Sequence, residues 1–354
     1  MRPASPDSGA FALSTRNFDG LAPETRHRWV ATFQQASRLD ELPWPERAII
    51  EIANTCNLDC PMCRVGRQGV DLRRVMRMER FKQVVDALIP HVRKIRLNGL
   101  GESTVVPGFG GYLDVLEARD AELELITNGT GEATTYRRLL GQGATLLFSW
   151  DAANESLFET LRRPARWEPV VQTLRGVSDH ARERGRSDQL HLLFTLQPAN
   201  VRELAAVVRQ AAGWGIPNVI VNVAKLRHDW LDARSTEVLD EFGIADDESR
   251  RVGGRLFLPD RVGNASSKTR SACPTSASGC DRPWKEVVVR WDLDVQVCNM
   301  FNPYTYGNLA LHSFERIWRG AFAQAFRTHI NSPARHPYCR GCAYIGDVHE
   351  RKHR

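Results

Sequence analysis

The chain has 354 residues, of which 42% are hydrophobic, and a formal net charge of +6. A chain of this length can bury a large core and is expected to form two domains, which excludes a small module stabilised by disulfides. Acidic residues are interleaved with the basic ones, as is typical of an ordinary solvated surface. A bias toward nucleic acid or an anionic substrate is the alternative interpretation.

The N-terminal stretch lacks a basic segment followed by an apolar core, and no apolar run approaches the ~20 residues of a membrane span. We therefore expect a cytoplasmic protein without a membrane partner. Thiols stay reduced in that compartment, so the eight cysteines are predicted to bind metal or to react rather than to form disulfides.

Residues 1–45 are predicted to form an N-terminal extension that ends in an amphipathic lead-in helix over 23–39. Residues 46–230 then alternate short β-branched or aliphatic runs with helical patterns. The six runs are AIIEIA (48–53), KIRLN (94–98), LELIT (123–127), TLLFSW (145–150), LHLLFTL (190–196) and NVIVNV (218–223). This alternation predicts an α/β fold with parallel strands, right-handed crossovers and active residues at the carboxyl ends of the strands.

Two helical patterns are clear. Residues 79–92 place four apolar side chains on one face, namely Phe81, Val84, Val85 and Leu88. Residues 200–215 predict a second helix, which begins with a capping box of Asn200 and Glu203 and ends at Gly215.

The alternation breaks after residue 230. Residues 231–270 are predicted to be a linker that contains a charged helical segment and a short strand, RLFLP. Residues 271–354 are predicted to be a cysteine-rich C-terminal domain. Within it, KEVVVRWD and LDVQVC predict a β-hairpin, and residues 313–330 predict a helix capped by Ser313 that buries Phe314, Ile317, Trp318 and Phe322.

Cys56, Cys60 and Cys63 follow the first predicted strand with the spacing Cx3CxxC. They are therefore expected in the loop at the carboxyl end of that strand. Three thiolates can hold three irons of a 4Fe–4S cluster and leave the fourth iron free for an outside ligand. A zinc site completed by a distant ligand is the alternative.

This spacing resembles the radical S-adenosylmethionine (SAM) superfamily, and LNGLGES (97–103), ITNGT (126–130) and FSWDAAN (148–154) resemble its motifs after the next three strands. The resemblance implies a partial (β/α)6 barrel and reductive cleavage of SAM to a 5′-deoxyadenosyl radical. It also implies an external one-electron donor such as flavodoxin or ferredoxin. The residues that it implies for SAM contact are Met62, Gly99, Gly101, Glu102, Asn128, Ser149 and Asp151.

The C-terminal pattern contains, in order, C-x-x-P-W, a hairpin, a cysteine, G-N-L, a helix with I-W, and CxxC. This pattern resembles the SPASM domain or its shortened twitch form. Because no cysteine follows the CxxC pair, the resemblance implies the α+β twitch form with a single auxiliary 4Fe–4S cluster. The ligands that it implies are Cys280, Cys298, Cys339 and Cys342; a zinc knuckle is the alternative. The family hairpin has Asp-Gly where this chain has Asp292-Leu293, and since leucine resists a positive φ we expect a different turn type.

Cys273 is left over, and it is interpreted as an inert thiol, a further cluster ligand or a hydrogen-atom donor to a substrate radical. Lys225 and His228 follow the sixth predicted strand and could act as a base near the substrate; solvated loop residues are the alternative.

Resemblance to twitch dehydrogenases implies a small polar substrate of the sugar, aminocyclitol or nucleoside-like kind, oxidised or epimerised in antibiotic biosynthesis. Peptide modification is the alternative, but the about 47 residues before the first strand are too few for the leader-binding domain of many peptide-modifying members. A zinc-bearing nucleic-acid-binding protein is a remote alternative, and nucleic acid is not expected as a partner.

Overall fold

The computed structural model describes residues 22–25, 42–63, 73–223, 229–259, 261–262, 265–266, 272–273, 279–299 and 304–339. Most of the predicted lead-in helix lies outside these ranges, as do Lys225, His228 and Cys342. Cys273 is described only as part of a short strand.

Parallel strands form the centre of an 11-stranded sheet in the described part of the chain. The first seven are β1 (Arg47–Ile50), β2 (Lys94–Leu97), β3 (Glu122–Thr127), β4 (Thr145–Ser149), β5 (Leu190–Leu196), β6 (Asn218–Val223) and β7 (Arg255–Pro259). They lie side by side in chain order and pair in parallel. Six of them are the predicted strands, and their β-branched and aliphatic residues suit strands that are covered on both faces.

Helices connect these strands and cover the sheet. They are α1 (Met78–Leu88), α2 (Phe109–Glu117), α3 (Ala133–Gly141), α4 (Glu155–Leu161), α5 (Trp167–Glu183), α6 (Leu204–Gly213), α7 (Asp229–Ala233) and α8 (Ser235–Val252). The apolar face predicted for α1 is confirmed, because its four side chains are completely buried. The helix ends four residues earlier than predicted because Pro90 has no N–H group to continue the helical hydrogen bonds, although Ile89 before it still has helical dihedral angles.

The predicted capping box at the start of α6 is wrong. A 3-10 turn, Val201–Glu203, precedes the helix, and the Asn200 side chain makes no capping hydrogen bond. Its Nδ2 instead donates to the carbonyl oxygen of Asp151 at 2.9 Å, and Glu203 accepts a hydrogen bond from the Ala153 nitrogen at 2.8 Å. Both polar side chains thus attach the start of α6 to the segment after β4, and this tertiary contact replaces the local cap.

The segment predicted as a linker adds to the sheet. Helix α8 packs on α6, and β7 continues the parallel order beyond β6. The strand RLFLP was expected, but its pairing with β6 could not be read from its five residues.

The remaining elements belong to the C-terminal region. They are β8 (Arg261–Val262), β9 (Ala265–Ser266), β10 (Ala272–Cys273), α9 (Arg282–Lys285), β11 (Glu286–Val289), β12 (Asp294–Gln296), β13 (Thr305–Asn308), α10 (Phe314–Trp318) and α11 (Ala321–Ile330). Strand β11 pairs in parallel with β1 and antiparallel with β12. The C-terminal hairpin therefore extends the barrel sheet, and β11 ends at the same edge as β1.

The helix predicted over 313–330 is two helices, α10 and α11. The Ser313 cap is confirmed, since its side chain accepts a hydrogen bond from the Arg316 nitrogen at 3.3 Å. Gly320 separates the two helices, and a Cβ atom there would lie 2.4 Å from the Arg316 carbonyl oxygen. The four apolar side chains predicted to be buried are buried.

The turn after β11 differs from the sequence prediction. Leu293 has a φ of 73°, the left-handed value that leucine was expected to avoid. That conformation costs a non-glycine residue about 1–2 kcal/mol. The Leu293 side chain is only 2% exposed, and burying a leucine contributes about 1.5–3 kcal/mol. Burial therefore offsets the backbone strain, which a pattern of turn residues cannot reveal.

Candidate active site

The carboxyl ends of β2 to β6 and the loop after β1 surround one cavity of about 270 Å³. Because five successive strand ends face one cavity, the parallel sheet must curve as a partial barrel does. The cavity is lined by all three cysteines of the first loop. It is also lined by six of the predicted SAM contacts, namely Met62, Gly99, Gly101, Glu102, Asn128 and Ser149. The strand-end motifs therefore converge as the sequence predicted.

The cysteine loop is shaped by local hydrogen bonds. The Leu58 nitrogen donates to Cys56 Sγ at 3.4 Å, and the Cys63 nitrogen donates to the Cys60 carbonyl oxygen at 2.9 Å. Burial raises the pKa of Cys56 to about 11, and the charges of Glu102, Cys60 and Cys63 act in the same direction. Without a cation the Cys56 thiol keeps its proton, and iron would displace that proton on binding.

Three soft thiol ligands in one loop fit an iron–sulfur cluster with one open iron. Among the residues that the structure describes, no group of three or more His, Cys, Asp or Glu side chains is already gathered as a metal site. The loop nevertheless brings all three cysteines to one cavity.

Glycines after β2 allow the backbone to come close to the cysteine loop. A Cβ atom on Gly101 would lie 2.3 Å from the Thr55 carbonyl oxygen, and one on Gly99 would lie 2.4 Å from Glu51 Cγ. Only glycine fits at such distances. The Leu100 nitrogen donates to the Glu51 carboxylate at 2.9 Å, and the Glu102 nitrogen donates to the Thr55 carbonyl oxygen at 2.8 Å. With these two N–H groups occupied, the loop is suited to offer carbonyl oxygens to an ammonium group.

The Glu102 side chain ties the ends of β2 and β3 together. Its carboxylate accepts hydrogen bonds from the Asn128 nitrogen at 2.6 Å, from Thr127 Oγ1 at 2.9 Å and from Thr104 Oγ1 at 2.7 Å. Burial raises the pKa of Glu102, whereas these hydrogen bonds lower it. Glu102 lines the cavity, and its carboxylate is occupied in fixing the shape of the wall.

Asn128 lies beside the cysteine loop. Its Nδ2 donates to Asn57 Oδ1 at 2.9 Å and lies 4.0 Å from Cys56 Sγ. Its Oδ1 accepts hydrogen bonds from the nitrogen and the hydroxyl of Thr130, and Asn57 Nδ2 donates to the same hydroxyl at 2.8 Å. The side chain predicted to lie near the cofactor thus also holds the loop that carries the cysteines.

Asp151, the remaining predicted SAM contact, does not line the cavity. It is completely buried, forms an ion pair with Arg162, and accepts a hydrogen bond from the Thr195 nitrogen at 2.7 Å. Arg162 lines the cavity and also interacts with Cys60. Arg162 could not be predicted from the sequence, because an arginine after α4 has no signal of its own and is recognised only through its contact with Asp151.

Replacing Arg162 with glutamine is expected to lower the free energy of unfolding by about 3–5 kcal/mol, because the buried Asp151 carboxylate loses its counter-ion. The measurement is chemical denaturation of the apoprotein. The neighbouring Arg163 gives a matched control: its side chain is 54% exposed and lies 3.6 Å from Asp59. Arg163→Gln should cost less than about 1 kcal/mol, and equal losses in the two variants would contradict the role of the buried pair.

The C-terminal region reaches the same site through Arg290, which follows β11. Arg290 Nε lies 3.7 Å from Glu51 Oε1, while Glu51 Oε2 binds the Leu100 nitrogen. Burial raises the pKa of Glu51, and the charge of Arg290 opposes this effect. One buried carboxylate therefore connects the loop after β2 with the C-terminal hairpin.

The second group of cysteines lies in the C-terminal region. The Cys280 nitrogen donates to Asn331 Oδ1 at 2.7 Å, and the Cys339 nitrogen donates to the His336 carbonyl oxygen at 2.8 Å. Cys298 follows β12, and all three thiols lie in the electrostatic surroundings of Tyr306. These three soft ligands fit an iron–sulfur cluster, and Cys342, the fourth ligand implied by the resemblance, lies outside the described residues.

Two family models match this chain. The radical SAM superfamily matches residues 50–211, and the SPASM iron–sulfur cluster-binding domain matches residues 280–343. The chain belongs to the radical SAM superfamily and carries a SPASM domain. This radical SAM protein is therefore an enzyme that uses SAM and two iron–sulfur clusters, as predicted, and the zinc alternatives are not supported. In the part of the chain that the structure describes, no helix is long and apolar enough to cross a membrane.

Several known proteins resemble this chain at low sequence identity. The tungsten-containing aldehyde ferredoxin oxidoreductase cofactor-modifying protein of Pyrococcus furiosus is 22% identical over 316 residues, which are 83% of this chain and 86% of that protein. SuiB of Streptococcus suis, bound to precursor peptide SuiA, superposes with a TM-score of 0.63 at 14% identity over 91% of this chain and 74% of its own. The enzyme anSMEcpe with bound AdoMet gives a TM-score of 0.64 at 14% identity over 85% and 84% of the two chains. At such identities the structural likeness confirms the fold alone.

Proposed function

We propose that this radical SAM enzyme abstracts a hydrogen atom from a small polar metabolite of the sugar, aminocyclitol or nucleoside-like class and oxidises or epimerises it. The polarity of the cavity supports this proposal. Asn98, Thr195 and Asn222 line it at the ends of β2, β5 and β6. Asn98 Oδ1 is buried and has no hydrogen-bond partner. A buried acceptor without a partner favours a ligand that carries hydroxyl or amino donors.

The residues around the cavity suit the cofactor that the superfamily uses. When bound, the reduced cluster and SAM supply a 5′-deoxyadenosyl radical. Cys56, Cys60 and Cys63 would hold the iron, Met62 would offer an apolar and adaptable surface for the nucleoside, and Arg162 would offer a positive charge for an anionic group of the cofactor. The loop around Gly101 lets backbone oxygens approach the ammonium group.

Proton transfer from the substrate radical needs a base near the cavity mouth. We assign this role to Lys225 or His228, which follow β6 directly in the sequence. If the substrate is epimerised rather than oxidised, Cys273 donates a hydrogen atom back to the substrate radical.

Peptide modification is the second candidate. It is favoured by the structures of SuiB with its precursor peptide and of anSMEcpe with the Cp18Cys peptide, which has a TM-score of 0.60 to this chain. Both have this fold, and a peptide would also present polar groups to Asn98 and Asn222.

The test is 5′-deoxyadenosine release by anaerobically reconstituted enzyme with dithionite and SAM, to which polar metabolite fractions or peptide fractions are added. We expect a metabolite fraction to stimulate release and to yield a product that lacks two hydrogen atoms, or one that carries deuterium when the solvent is D₂O. Stimulation by peptide fractions alone would move the assignment to the second candidate. Cys273→Ala separates the two outcomes, because oxidation should persist and epimerisation should stop.

A further inference from the structure

A buried hydroxyl group without a partner lies in the core of the C-terminal region. Tyr306 on β13 is 1% exposed, and its Oη makes no hydrogen bond in the structure. Its ring packs against Phe326 and Trp318, with centroids 6.3 and 6.4 Å away. Buried tyrosine hydroxyls usually have a partner, because an unpaired polar group in an apolar core is costly. The unpaired hydroxyl therefore indicates that a ligand accepts its hydrogen bond.

The backbone places Tyr306 close to the second group of cysteines. Val295 pairs with Gly307 but Gln296 pairs with Thr305, so Tyr306 is the extra residue of a β-bulge. Bulges re-aim side chains and recur beside functional sites. The opposing strand β12 leads directly to Cys298.

Cys280 and Cys339, the other two described cysteines of this group, also lie within electrostatic range of Tyr306. Burial raises the pKa of Tyr306, the charge of Arg327 opposes this effect, and nearby Cys298, Cys280 and Cys339 raise the pKa further. The Tyr306 hydroxyl is a hydrogen-bond donor within electrostatic range of these three cysteines.

A buried positive charge lies next to this hydroxyl. The Arg327 guanidinium lies 5.5 Å from the ring centroid of Tyr306 and 4.0 Å from that of Trp318. Its Nε and Nη1 donate to the carbonyl oxygens of Pro283 and Trp318, while Nη2 has no partner. Among the described residues no carboxylate forms an ion pair with Arg327. A buried cation needs a nearby negative charge, and a cluster with four thiolate ligands carries one.

We propose that the Tyr306 hydroxyl donates a hydrogen bond to a sulfur atom of the auxiliary cluster site and that Arg327 stabilises the same negative charge, so that both residues raise the reduction potential of this cluster. The reduced cluster has accepted one electron and is more negative than the oxidised one. A donor and a cation therefore stabilise the reduced form more. The inference concerns the auxiliary cluster and does not depend on the substrate proposed above.

The test is an EPR-monitored redox titration of reconstituted Tyr306→Phe, with iron and sulfide content measured first. The substitution removes only the hydroxyl. At a fixed potential near the midpoint we expect the ratio of reduced to oxidised auxiliary cluster to fall about tenfold, since hydrogen bonds to charged groups are strong. A tenfold ratio corresponds to ~59 mV for a one-electron couple.

Tyr304 gives a matched control, because it is also buried but its hydroxyl donates to the Phe322 carbonyl oxygen at 2.9 Å. Tyr304→Phe should leave the potential unchanged. The apoproteins give a second readout: Tyr306→Phe should keep the melting temperature of the wild type or raise it, whereas Tyr304→Phe should lower it. An unchanged potential in Tyr306→Phe, or an equal shift in both variants, would overturn the proposal.

Discussion

Alanine in place of Gly101 is expected to weaken SAM binding by roughly 100-fold or more, because even a 1 Å displacement in a site can have an effect of this size. The new Cβ atom would lie 2.3 Å from the Thr55 carbonyl oxygen and 2.7 Å from that of Ala53. Both are backbone atoms of the segment that leads to Cys56, so they can move only if the cysteine loop moves. Equilibrium binding of SAM to the anaerobically reconstituted protein measures the effect.

Gly213→Ala is the matched control. Gly213 is the last residue of α6, and a Cβ atom there would meet no atom within 4 Å. This variant should bind SAM like the wild type and should be more stable by about 0.4–1 kcal/mol, because alanine restricts the unfolded chain. If Gly101→Ala bound SAM within about threefold of the wild type, the close backbone approach would not matter for the site.

Cys60→Ala is expected to remove the SAM-binding cluster and to abolish 5′-deoxyadenosine release. Iron content should fall from about eight to about four atoms per chain, since the auxiliary cluster keeps its ligands. Iron and sulfide analysis after anaerobic reconstitution measures the first effect, and chromatography of the reaction mixture measures the second.

Cys273→Ala is the corresponding control for iron content, because Cys273 is left over from both predicted ligand sets. It should retain about eight irons per chain. Loss of iron in this variant would show that Cys273 replaces one of the four ligands assigned to the auxiliary cluster.

The positions of the strand-end motifs could be predicted because they depend on local sequence. The cysteines of the first loop, the glycines after β2 and Asn128 after β3 each follow a strand with a clear apolar pattern. Parallel strands bring their carboxyl ends to one edge. The four motifs therefore had to meet in one cavity once the strands were recognised.

The features that were missed depend on contacts between distant residues. Arg162 lines the cavity and forms an ion pair with the buried Asp151, and no spacing in the sequence indicates that pair. Asn200 and Glu203 have the pattern of a capping box, yet both side chains bind the segment after β4. Leu293 adopts a left-handed conformation because its side chain is buried. In each case tertiary structure overrides a local preference, which a short sequence pattern cannot express.

Glu51 connects the loop after β2 with the C-terminal hairpin. Its carboxylate holds the Leu100 nitrogen and faces Arg290, which follows β11 of the C-terminal hairpin. The parallel pairing of β11 with β1 places these groups at one edge of the sheet. Through Glu51 the SPASM domain therefore supports the loop after β2 that lines the cavity, in addition to carrying its own cluster.

Three cysteines are expected to hold a cluster whose fourth iron is free to bind SAM. The most direct measurement is the EPR spectrum of the dithionite-reduced protein before and after addition of SAM, with Cys60→Ala as the blank. We expect SAM to change the g-values of one cluster in the wild type and to change nothing in the variant. A wild-type spectrum that is the same with and without saturating SAM would contradict this expectation.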